Sequence, residues 1–256
     1  MTHKVIIIAG ATSMIGKSCA HLLAQKEGIK LMLLGRDQKK LQNIIQHLNK
    51  TDHTEIDYCV TDMHSSEDIK SAINKTFERF HHIDALIQNV ALYPWKKIED
   101  LTIDEWKETI DVSLTAPFLL TQACLPFMKK QRSGRIIFIS SIAGEQIGLP
   151  YMAAYASAKA GLNGFMRTAA LECAPYNITI NAISPGKIYD SKTLTSDELI
   201  QKIAPIPLGR FVSPNDIAHM AEFLISPNAH NITGQNFIID GGQSISGEDS
   251  HIQHPI

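Results

Sequence analysis

Hydrophobic and polar positions follow two rhythms along the chain. Short aliphatic runs predict buried strands at residues 5–9, 31–34, 56–60, 85–88, 136–140, 178–182 and 236–239. Longer segments with apolar residues three and four positions apart predict helices after residue 14, through 41–48, over 66–80, 106–130 and 154–173, and from 214 onward. Strands and helices therefore alternate along almost the whole chain.

This alternation is typical of βαβ units, in which neighbouring strands run parallel. The sequence predicts an α/β fold of the doubly wound (Rossmann) type, a parallel sheet of about seven strands with helices on both faces. There is no internal repeat or low-complexity linker, so we expect one domain over residues 1–256. Residues 187–208 lack clear periodicity apart from a short predicted helix near 197–203, and we interpret them as a substrate lid.

Composition narrows the class of partner. Apolar residues make up 44% of the chain, charged residues 20%, and the formal net charge is -2. No polybasic surface for nucleic acid is expected, which leaves a small-molecule substrate. The apolar run near the N-terminus is too short for a secretory or membrane-spanning segment, which predicts a cytoplasmic protein with no membrane partner. The cysteines are far apart and no histidine pair has ligand spacing, so we expect reduced thiols and no metal site.

A turn that begins at Gly10 and ends at Gly16 separates the first strand from the first helix. This layout points backbone N–H groups and the positive end of a helix at an anion, and it is typical of dinucleotide pyrophosphate binding. The overlapping run from Gly16 through Lys17 to Ser18 also resembles the end of a P-loop, although Ala11 stands where that pattern has glycine. A P-loop NTPase is therefore a second hypothesis.

Arg36 favours the first hypothesis. Dinucleotide binding predicts a residue that reads the ribose about 20 residues further on, at the end of the second strand, and Arg36 lies there. A guanidinium can pair with a 2′-phosphate, whereas a carboxylate would bind ribose hydroxyls. The sequence therefore favours NADP(H) over NAD(H), and the alternative for Arg36 is a surface arginine at the start of a helix.

The candidate catalytic side chains lie in the second half of the chain. Tyr155 and Lys159 are four residues apart in a predicted helix, so they share one face. Carbonyl reduction needs a proton donor, and a nearby Lys159 ammonium would lower the pKa of the tyrosine. Ser141 follows the strand at 136–140, at the sheet edge where doubly wound folds bind ligands. Its hydroxyl can orient a substrate oxygen, and Ser140 is its rival for that role.

These motifs, followed after the next strand by Asn181-Ala-Ile-Ser-Pro-Gly186, resemble the classical short-chain dehydrogenases/reductases from Lys4 to Gly242. The C-terminal motifs are similar to the 3-oxoacyl-[acyl-carrier-protein] reductase-like branch. The resemblance implies hydride transfer between NAD(P)(H) and a carbonyl or alcohol, catalysed by Ser141, Tyr155 and Lys159. It implies a cofactor site formed by Gly10, Thr12, Ser13, Ile15, Gly16, Arg36, Asp62, Met63, Asn89, Tyr155, Lys159, Pro185, Gly186 and Ile188.

Several roles come from the resemblance alone. Asp62 would bond the adenine amino group, and the competing interpretation is a helix cap. Lys159 would bond the nicotinamide ribose hydroxyls, and Ile188 would contact the carboxamide. Asn89 would tie the cofactor pocket together.

The chain also departs from the family pattern. Met14 replaces the middle glycine of the first turn, Val90 and Ala91 replace an alanine and a glycine after the fourth strand, and Ser113 replaces an asparagine. Asp190 stands where threonine is usual, which moves a phosphate contact to Ser191 or removes it. These departures motivate a third hypothesis, a cofactor-binding relative with weak or lost catalysis, but the retained serine, tyrosine and lysine favour an enzyme.

Assembly and substrate are expectations from the same resemblance. The helix that carries Tyr155 is rich in alanine and glycine, which permits close approach of another helix, and a homotetramer or a homodimer is expected. The substrate pocket should draw on residues 93–95, 143–152 and 187–208. Their aromatic and aliphatic side chains indicate an apolar or mixed ligand.

Overall fold

The structure is a computed structural model that describes residues 3–48, 54–189 and 195–246. Seven parallel strands form one sheet in the order β3-β2-β1-β4-β5-β6-β7. The strands are β1 (Lys4–Ala9), β2 (Ile29–Gly35), β3 (Glu55–Val60), β4 (Ala85–Gln88), β5 (Gly134–Ile139), β6 (Ile178–Pro185) and β7 (Asn236–Ile239). The predicted doubly wound α/β fold is confirmed.

Five helices of the described residues begin with side-chain caps that satisfy their first N–H groups. Ser13 caps α1 and Ser65 caps α3, while Thr102, Thr195 and Ser213 form capping boxes at α4, α7 and α8. The helices are α1 (Met14–Ala24), α2 (Gln38–Leu48), α3 (Ser66–Phe80), α4 (Ile103–Ile110), α5 (Ala116–Gln131), α6 (Ala153–Cys173), α7 (Ser196–Ile203) and α8 (Pro214–Ile225).

Two hydrophobic cores lie on the two faces of the sheet. Successive β1 residues alternate between them: Val5 and Ile7 pack with α3, α5 and α6, whereas Ile6 and Ile8 pack with α1, α2 and α8. A strand buried on both faces reads as a continuous apolar run, which is why the strands were predictable. The order of strands reverses between β1 and β4, so the loops after these strands diverge and leave a crevice at the carboxyl edge of the sheet.

The predicted helical region at 106–130 is present, but it is not one regular α-helix. The structure has α4, then a five-residue π-helical segment Asp111–Thr115, and then α5. By length and composition the stretch Ile103–Gln131 is apolar enough to cross a membrane. Leu120, Cys124 and Met128 of α5 are nevertheless fully buried against the sheet, as in a core helix.

The candidate lid, residues 187–208, is described in part. It contains α7 (Ser196–Ile203), in agreement with the short helix predicted near 197–203, while residues 190–194 lie outside the described residues. Its role as a lid stays a prediction.

Candidate active site

The turn after β1 is packed against the first turn of α1. Gly10 has a φ of +77°, and a Cβ at Gly16 would lie 2.3 Å from the Gly10 carbonyl oxygen. Ser13 Oγ accepts a hydrogen bond from the Gly16 N–H at 3.0 Å and so caps α1. A larger residue would be strained at position 10 and would clash at position 16, which explains the two glycines. The N-terminus of α1 is thereby held at the carboxyl edge of the sheet.

Asn89 joins the end of β4 to this turn. Its side-chain amide donates to Ser13 Oγ at 2.5 Å and to the Gly10 carbonyl at 3.4 Å, and its backbone N–H donates to the Ala9 carbonyl at 3.0 Å. Gly10 lies so near the Asn89 backbone that a Cβ there would be 3.1 Å from the Asn89 carbonyl carbon. The two loops that diverge at the strand-order reversal are thereby fixed relative to each other.

A cleft of about 200 Å³ opens at this reversal. Six of the predicted cofactor residues line it: Gly10, Thr12, Ser13, Arg36, Met63 and Asn89. Ile15, Gly16 and Asp62 are neighbours of these residues in sequence but are not part of its lining. The sequence motifs did not identify Gly35, Thr61, His64, Leu92 and Val112, which also line it. Gly35, Thr61 and His64 lie at or just after the ends of β2 and β3, and this position in the sequence could have predicted that they line the cleft.

Arg36 lies on the rim of the cleft and is exposed. In the part of the chain that the structure describes, its guanidinium makes no salt bridge. The next residue, Asp37, is occupied at the start of α2: it accepts a hydrogen bond from the Lys40 N–H at 3.0 Å and pairs with the Lys40 ammonium at 3.4 Å. These contacts lower the pKa of Asp37. At the end of β2, the charged group that is not engaged by a neighbour of opposite charge is therefore the Arg36 guanidinium, a cation.

Asp62 is exposed beside the cleft, and its carboxylate is bound by its own loop. The His64 N–H donates to Asp62 Oδ1 at 3.1 Å and the imidazole lies 3.0 Å from the same oxygen. These two hydrogen bonds are the largest causes of the lowered pKa of Asp62, to which the nearby Arg36 charge adds. The N-cap of α3 is Ser65, so the interpretation of Asp62 as that helix cap is wrong.

The P-loop hypothesis fails on the placement of Lys17 and Ser18. The Ser18 hydroxyl donates to Asn215 Oδ1 on α8 at 2.5 Å. Lys17 lines a separate groove between α1 and α2, together with Lys40 and His47. Neither side chain belongs to the lining of the cleft at the first turn, whereas a P-loop needs both on the bound phosphates and metal.

Ser141, Tyr155 and Lys159 are brought together. Ser141 follows β5, and its hydroxyl accepts a hydrogen bond from the Ala143 N–H at 3.1 Å. The same hydroxyl is close enough to the Tyr155 phenol to favour its ionised form. The Lys159 ammonium lies 5.6 Å from the centroid of the Tyr155 ring and donates to the Ile139 carbonyl at 2.6 Å. Ser140 is buried, and its hydroxyl has no hydrogen-bond partner among the described residues, so Ser141 is the serine that faces Tyr155.

Burial dominates the electrostatics of this group. It raises the pKa of Tyr155 to about 12, against the opposing effect of the hydrogen bond from Ser141. It lowers the pKa of Lys159 to about 7, because the ammonium is removed from water and faces a carbonyl rather than a carboxylate. The predicted lowering of the Tyr155 pKa by Lys159 is not seen in this arrangement, and at pH 7 the tyrosine is a protonated acid.

The turn after β6 completes the edge of the site. The Pro185 carbonyl accepts from the Ile142 N–H at 3.2 Å, which joins this turn to the loop that carries Ser141. Gly186 lies where a Cβ would be 2.8 Å from the Asp240 Cα, so a side chain does not fit. Ile188 is partly buried and packs against the core on the α8 face of the sheet.

Comparison with known proteins identifies the family. Residues 10–244 match the family model described as Enoyl-(Acyl carrier protein) reductase. The chain is 34% identical over 249 residues to trans-4-hydroxycyclohexanecarboxylate dehydrogenase of Sinomonas cyclohexanicum, covering 95% of this chain and 94% of that protein. It is 34% identical over 245 residues to a 3-oxoacyl-[acyl-carrier-protein] reductase of Synechocystis sp. (strain ATCC 27184 / PCC 6803 / Kazusa), covering 94% of this chain and 97% of that protein.

The chain belongs to the short-chain dehydrogenase/reductase family. Its fold is similar to a single-residue variant of actinorhodin polyketide ketoreductase with NADPH, with a TM-score of 0.87, 27% identity and coverage of 96% of this chain and 100% of that chain. It is also similar to NAD+-bound xylitol dehydrogenase, with a TM-score of 0.86, 28% identity and coverage of 94% and 99%. The protein is an NAD(P)(H)-dependent oxidoreductase of carbonyl compounds or alcohols.

Ser113, which replaces the asparagine of the short-chain dehydrogenases, holds a loop at the cleft. It is fully buried in the π-helical segment; its hydroxyl accepts from the Leu92 N–H at 2.9 Å and donates to the Leu92 carbonyl at 3.3 Å. The same segment packs on the catalytic helix, since Leu114 would lie 3.0 Å from a Cβ at Gly161 of α6. A π-helical turn is a common feature of functional sites.

The other departures from the family pattern also have places in the structure. Met14 is the first residue of α1 and its side chain is about half exposed, at 49%. Val90 and Ala91 line the cleft, and the Gln88 side-chain amide fixes this loop by donating to the Val90 carbonyl at 3.1 Å. Asp190, with its neighbour Ser191, lies outside the described residues.

Glu145 is a structural residue of the site that sequence motifs did not identify. Its carboxylate accepts from the side-chain amide of Asn163, from Arg167 at 3.0 Å and from the amide of Asn236 at 2.9 Å. The loop after Ser141 is thereby anchored to α6 and β7. Gly144 brings this loop so close to α6 that a Cβ there would lie 2.2 Å from a backbone oxygen of that helix.

Proposed function

We propose that this short-chain dehydrogenase/reductase reduces a carbonyl compound with NADPH, or oxidises the corresponding alcohol with NADP+, and that Tyr155 is the proton donor and acceptor. The observation that carries the proposal is the grouping of three side chains: the Lys159 nitrogen lies 5.6 Å from the centroid of the Tyr155 ring, and Ser141 follows β5 beside them, at the carboxyl edge of the sheet. General acid catalysis requires a proton donor within hydrogen-bond reach of the substrate oxygen.

Each residue has a distinct part in this mechanism. Bound NADPH supplies the hydride to the carbonyl carbon. The Ser141 hydroxyl orients the carbonyl oxygen and stabilises the charge that develops on it. Tyr155, protonated at neutral pH because burial raises its pKa to about 12, transfers its proton to that oxygen. Lys159 would hold the nicotinamide ribose of the bound cofactor through hydrogen bonds from its side-chain nitrogen.

Several features of the cleft support the binding of a dinucleotide with a 2′-phosphate. The N-terminus of α1 provides a positive dipole end for a pyrophosphate, and glycine at positions 10 and 16 lets the backbone of the first turn pack closely there. Arg36 offers an open guanidinium at the end of β2, while the neighbouring carboxylate of Asp37 is occupied by Lys40. Asp62, Met63 and Asn89 would complete the adenosine side, and Pro185, Gly186 and Ile188 the nicotinamide side.

The substrate class has two precedents among the relatives. One relative is named as a 3-oxoacyl-[acyl-carrier-protein] reductase and another as a dehydrogenase of a hydroxylated cyclohexane carboxylate. Both names describe the interconversion of a carbonyl and a secondary alcohol. A 3-oxoacyl thioester and a cyclic ketone are therefore the first compounds to test.

The experiment is a fluorescence titration of the pure protein with NADPH and NADH, followed by NADPH oxidation against ketones, 3-oxoacyl thioesters and sugars. Tyr155→Phe should reduce kcat by a factor on the order of 10²–10⁴ and leave the NADPH Kd within about twofold, because only the transferred proton is removed. Unchanged turnover in Tyr155→Phe would exclude the assignment. Tight NADPH binding without turnover would favour the alternative, a family member with lost catalysis.

Assembly and location stay predictions. We propose a homotetramer, or a homodimer, that works in the cytoplasm on a small-molecule substrate. The exposed face of α6, with Gly164 open to solvent, supports the helix pairing that such an assembly needs.

A further inference from the structure

Three exposed aromatic side chains lie on the loops near Tyr155 and take no part in the proposed mechanism. Tyr93 is 64% exposed, Trp95 is 63% exposed and Tyr151 is 45% exposed. Tyr93 and Trp95 follow β4, and Tyr151 precedes α6. Contiguous exposed apolar surface on a folded chain marks a place where a ligand binds. We refer to these three residues as the aromatic wall.

The rings of the aromatic wall are arranged in pairs. Tyr93 meets the Tyr155 ring edge-on, with centroids 5.8 Å apart and an interplanar angle of 77°. Trp95 and Tyr151 lie across the two loops from each other, with centroids 6.2 Å apart. The Lys96 N–H donates to the Tyr151 carbonyl at 3.0 Å and joins the two loops directly. One pair of rings therefore includes the catalytic phenol, and the other pair bridges the loops that follow β4 and precede α6.

Tyr151 adopts a backbone conformation that a tyrosine rarely takes. Its φ is +68°, in the left-handed region that favours glycine. Such strain persists only where the surroundings hold it, and it clusters at functional sites. Here the bond from Lys96 and the contact with Trp95 hold it. The chain thus keeps a large ring at a strained position beside the site.

The charges near the wall are neutralised. Lys96 pairs with Glu105 at 2.5 Å, and Lys97 pairs with Glu99 at 3.6 Å. These two lysines therefore contribute no unpaired cation beside the aromatic rings of the wall. A flat ring gains contact with aromatic faces and loses little rotational freedom, whereas a flexible chain of the same size loses more.

We infer that the aromatic wall binds the ring of the substrate, so that the substrate class is a cyclic ketone, alicyclic or aromatic, and its secondary alcohol. This inference rests on the proposed carbonyl reduction and makes it specific. A linear ketone of equal carbon number should be the poorer substrate, and Trp95 should contact the ring of the bound substrate.

The chain offers a direct probe, because it contains only two tryptophans. In Trp106→Phe protein, emission comes from Trp95 alone. With NADP+ saturating, cyclohexanone and cyclooctanone should change this emission, and 2-hexanone and 2-octanone should leave it unchanged. In parallel, kcat/KM with NADPH should be higher for each cyclic ketone than for its linear partner by about fivefold to tenfold, the range expected for one aromatic contact.

Variants of the wall test the assignment. Trp95→Ala should lower kcat/KM for the cyclic ketones and so remove the preference for rings, while Ile98→Ala, at an exposed apolar position outside the wall, should behave as the parent. Equal or higher kcat/KM for the linear ketones, or a 3-oxoacyl thioester preferred over every ring, would overturn the inference and leave the proposed function intact. NADPH binding without reduction of any carbonyl would contradict the proposed function, and the Trp95 emission would still decide whether rings bind.

Discussion

The cofactor preference depends on one side chain, Arg36. We predict that Arg36→Ala raises the Kd for NADPH by about 10- to 100-fold, since a charge-assisted hydrogen bond to phosphate contributes about 1.5–3 kcal/mol. The Kd for NADH should stay within about twofold, because NADH lacks the 2′-phosphate. Fluorescence titration measures both constants. Lys39→Ala is the control: this exposed lysine on α2 is close in sequence but does not line the cleft. An equal loss for both cofactors would show that Arg36 does not read the phosphate.

Lys159 should destabilise the folded protein at neutral pH. The pKa of Lys159 is about 7 in the folded protein, against an ordinary value of 10.5 in the unfolded chain. Between pH 7 and pH 10.5 the unfolded chain therefore binds one more proton than the folded protein. The free energy of unfolding contributed by this group is therefore lowest below pH 7 and rises as pH increases toward 10.5. The cause is the transfer of an ammonium into the core with a carbonyl as its hydrogen-bond partner.

We predict that Lys159→Met abolishes turnover and increases the free energy of unfolding by roughly 1–4 kcal/mol at pH 6.5, with a smaller gain at pH 9.5. Urea unfolding at the two pH values measures the difference. Lys107→Met, at an exposed position on α4, should show no such dependence. If the increase in the free energy of unfolding were larger at pH 9.5 than at pH 6.5, burial of the Lys159 ammonium would not be the cause.

At the scale of elements, the π-helical segment Asp111–Thr115 connects the cleft to the catalytic helix. It interrupts a stretch whose apolar periodicity continues without a break, so sequence pattern alone predicts one long helix. The interruption places Ser113 against both backbone groups of Leu92 in the loop after β4. The hydroxyl thereby satisfies a buried N–H and a carbonyl that would otherwise lack partners.

Ser113→Ala should lower the free energy of unfolding by about 1–3 kcal/mol, because it leaves the two Leu92 groups without their partner. It should also raise the KM for NADPH, since Leu92 lines the cleft. Urea unfolding and steady-state kinetics measure the two effects. Thr115→Ala in the same segment is the control, because its hydroxyl makes only one long contact of 3.5 Å with Asp111 at the surface. If both variants behave alike, the role assigned to Ser113 is wrong.

Strands and most helices were predictable because the features that determine them lie within a short stretch of sequence. A parallel strand buried on both faces is a short apolar run, as in β1, and a cap such as Ser13 or Ser65 marks where a helix begins. Arg36 was identified by its spacing from the first turn and Asn89 by the resemblance to the family motif, and both line the cleft. Their roles stay predictions until the experiments above are done.

The remaining features depend on residues far apart in the chain. The Glu145 contacts cross 18 residues to Asn163 and 91 residues to Asn236, and no local pattern reports such pairings. The pKa directions of Tyr155 and Lys159 follow from burial, which only the folded chain determines. For this reason the sequence predicted a lysine that lowers the pKa of the tyrosine, whereas the fold turns that lysine toward Ile139.

For the whole molecule, the sheet order gathers the loops after β1, β4, β5 and β6 at one edge. Cross-links between these loops then make one site: Asn89 bonds the first turn, Ile142 bonds Pro185, and Glu145 bonds α6 and β7. The aromatic wall lies on the loops after β4 and β5, while Tyr155 and Lys159 lie on α6, so substrate choice and chemistry are separated on the fold. Changes in the wall should alter which carbonyl is reduced and leave the reaction type unchanged.

The last prediction concerns assembly through α5 and α6. Phe118 on α5 is 42% exposed and Leu171 on α6 is 76% exposed, while a Cβ at Gly164 would meet no atom within 4 Å. Gly164→Gln should therefore leave the single chain intact and even stabilise it by about 0.5–1 kcal/mol, because glycine is a poor helix former. The same side chain should obstruct a second helix that packs on this face, so the variant should shift toward monomer. Sedimentation velocity at several concentrations measures the shift, and Gly148→Gln, also in open space but in the loop before α6, should keep the parent mass. A Gly164→Gln protein with the parent mass at every concentration would place the subunit interface elsewhere.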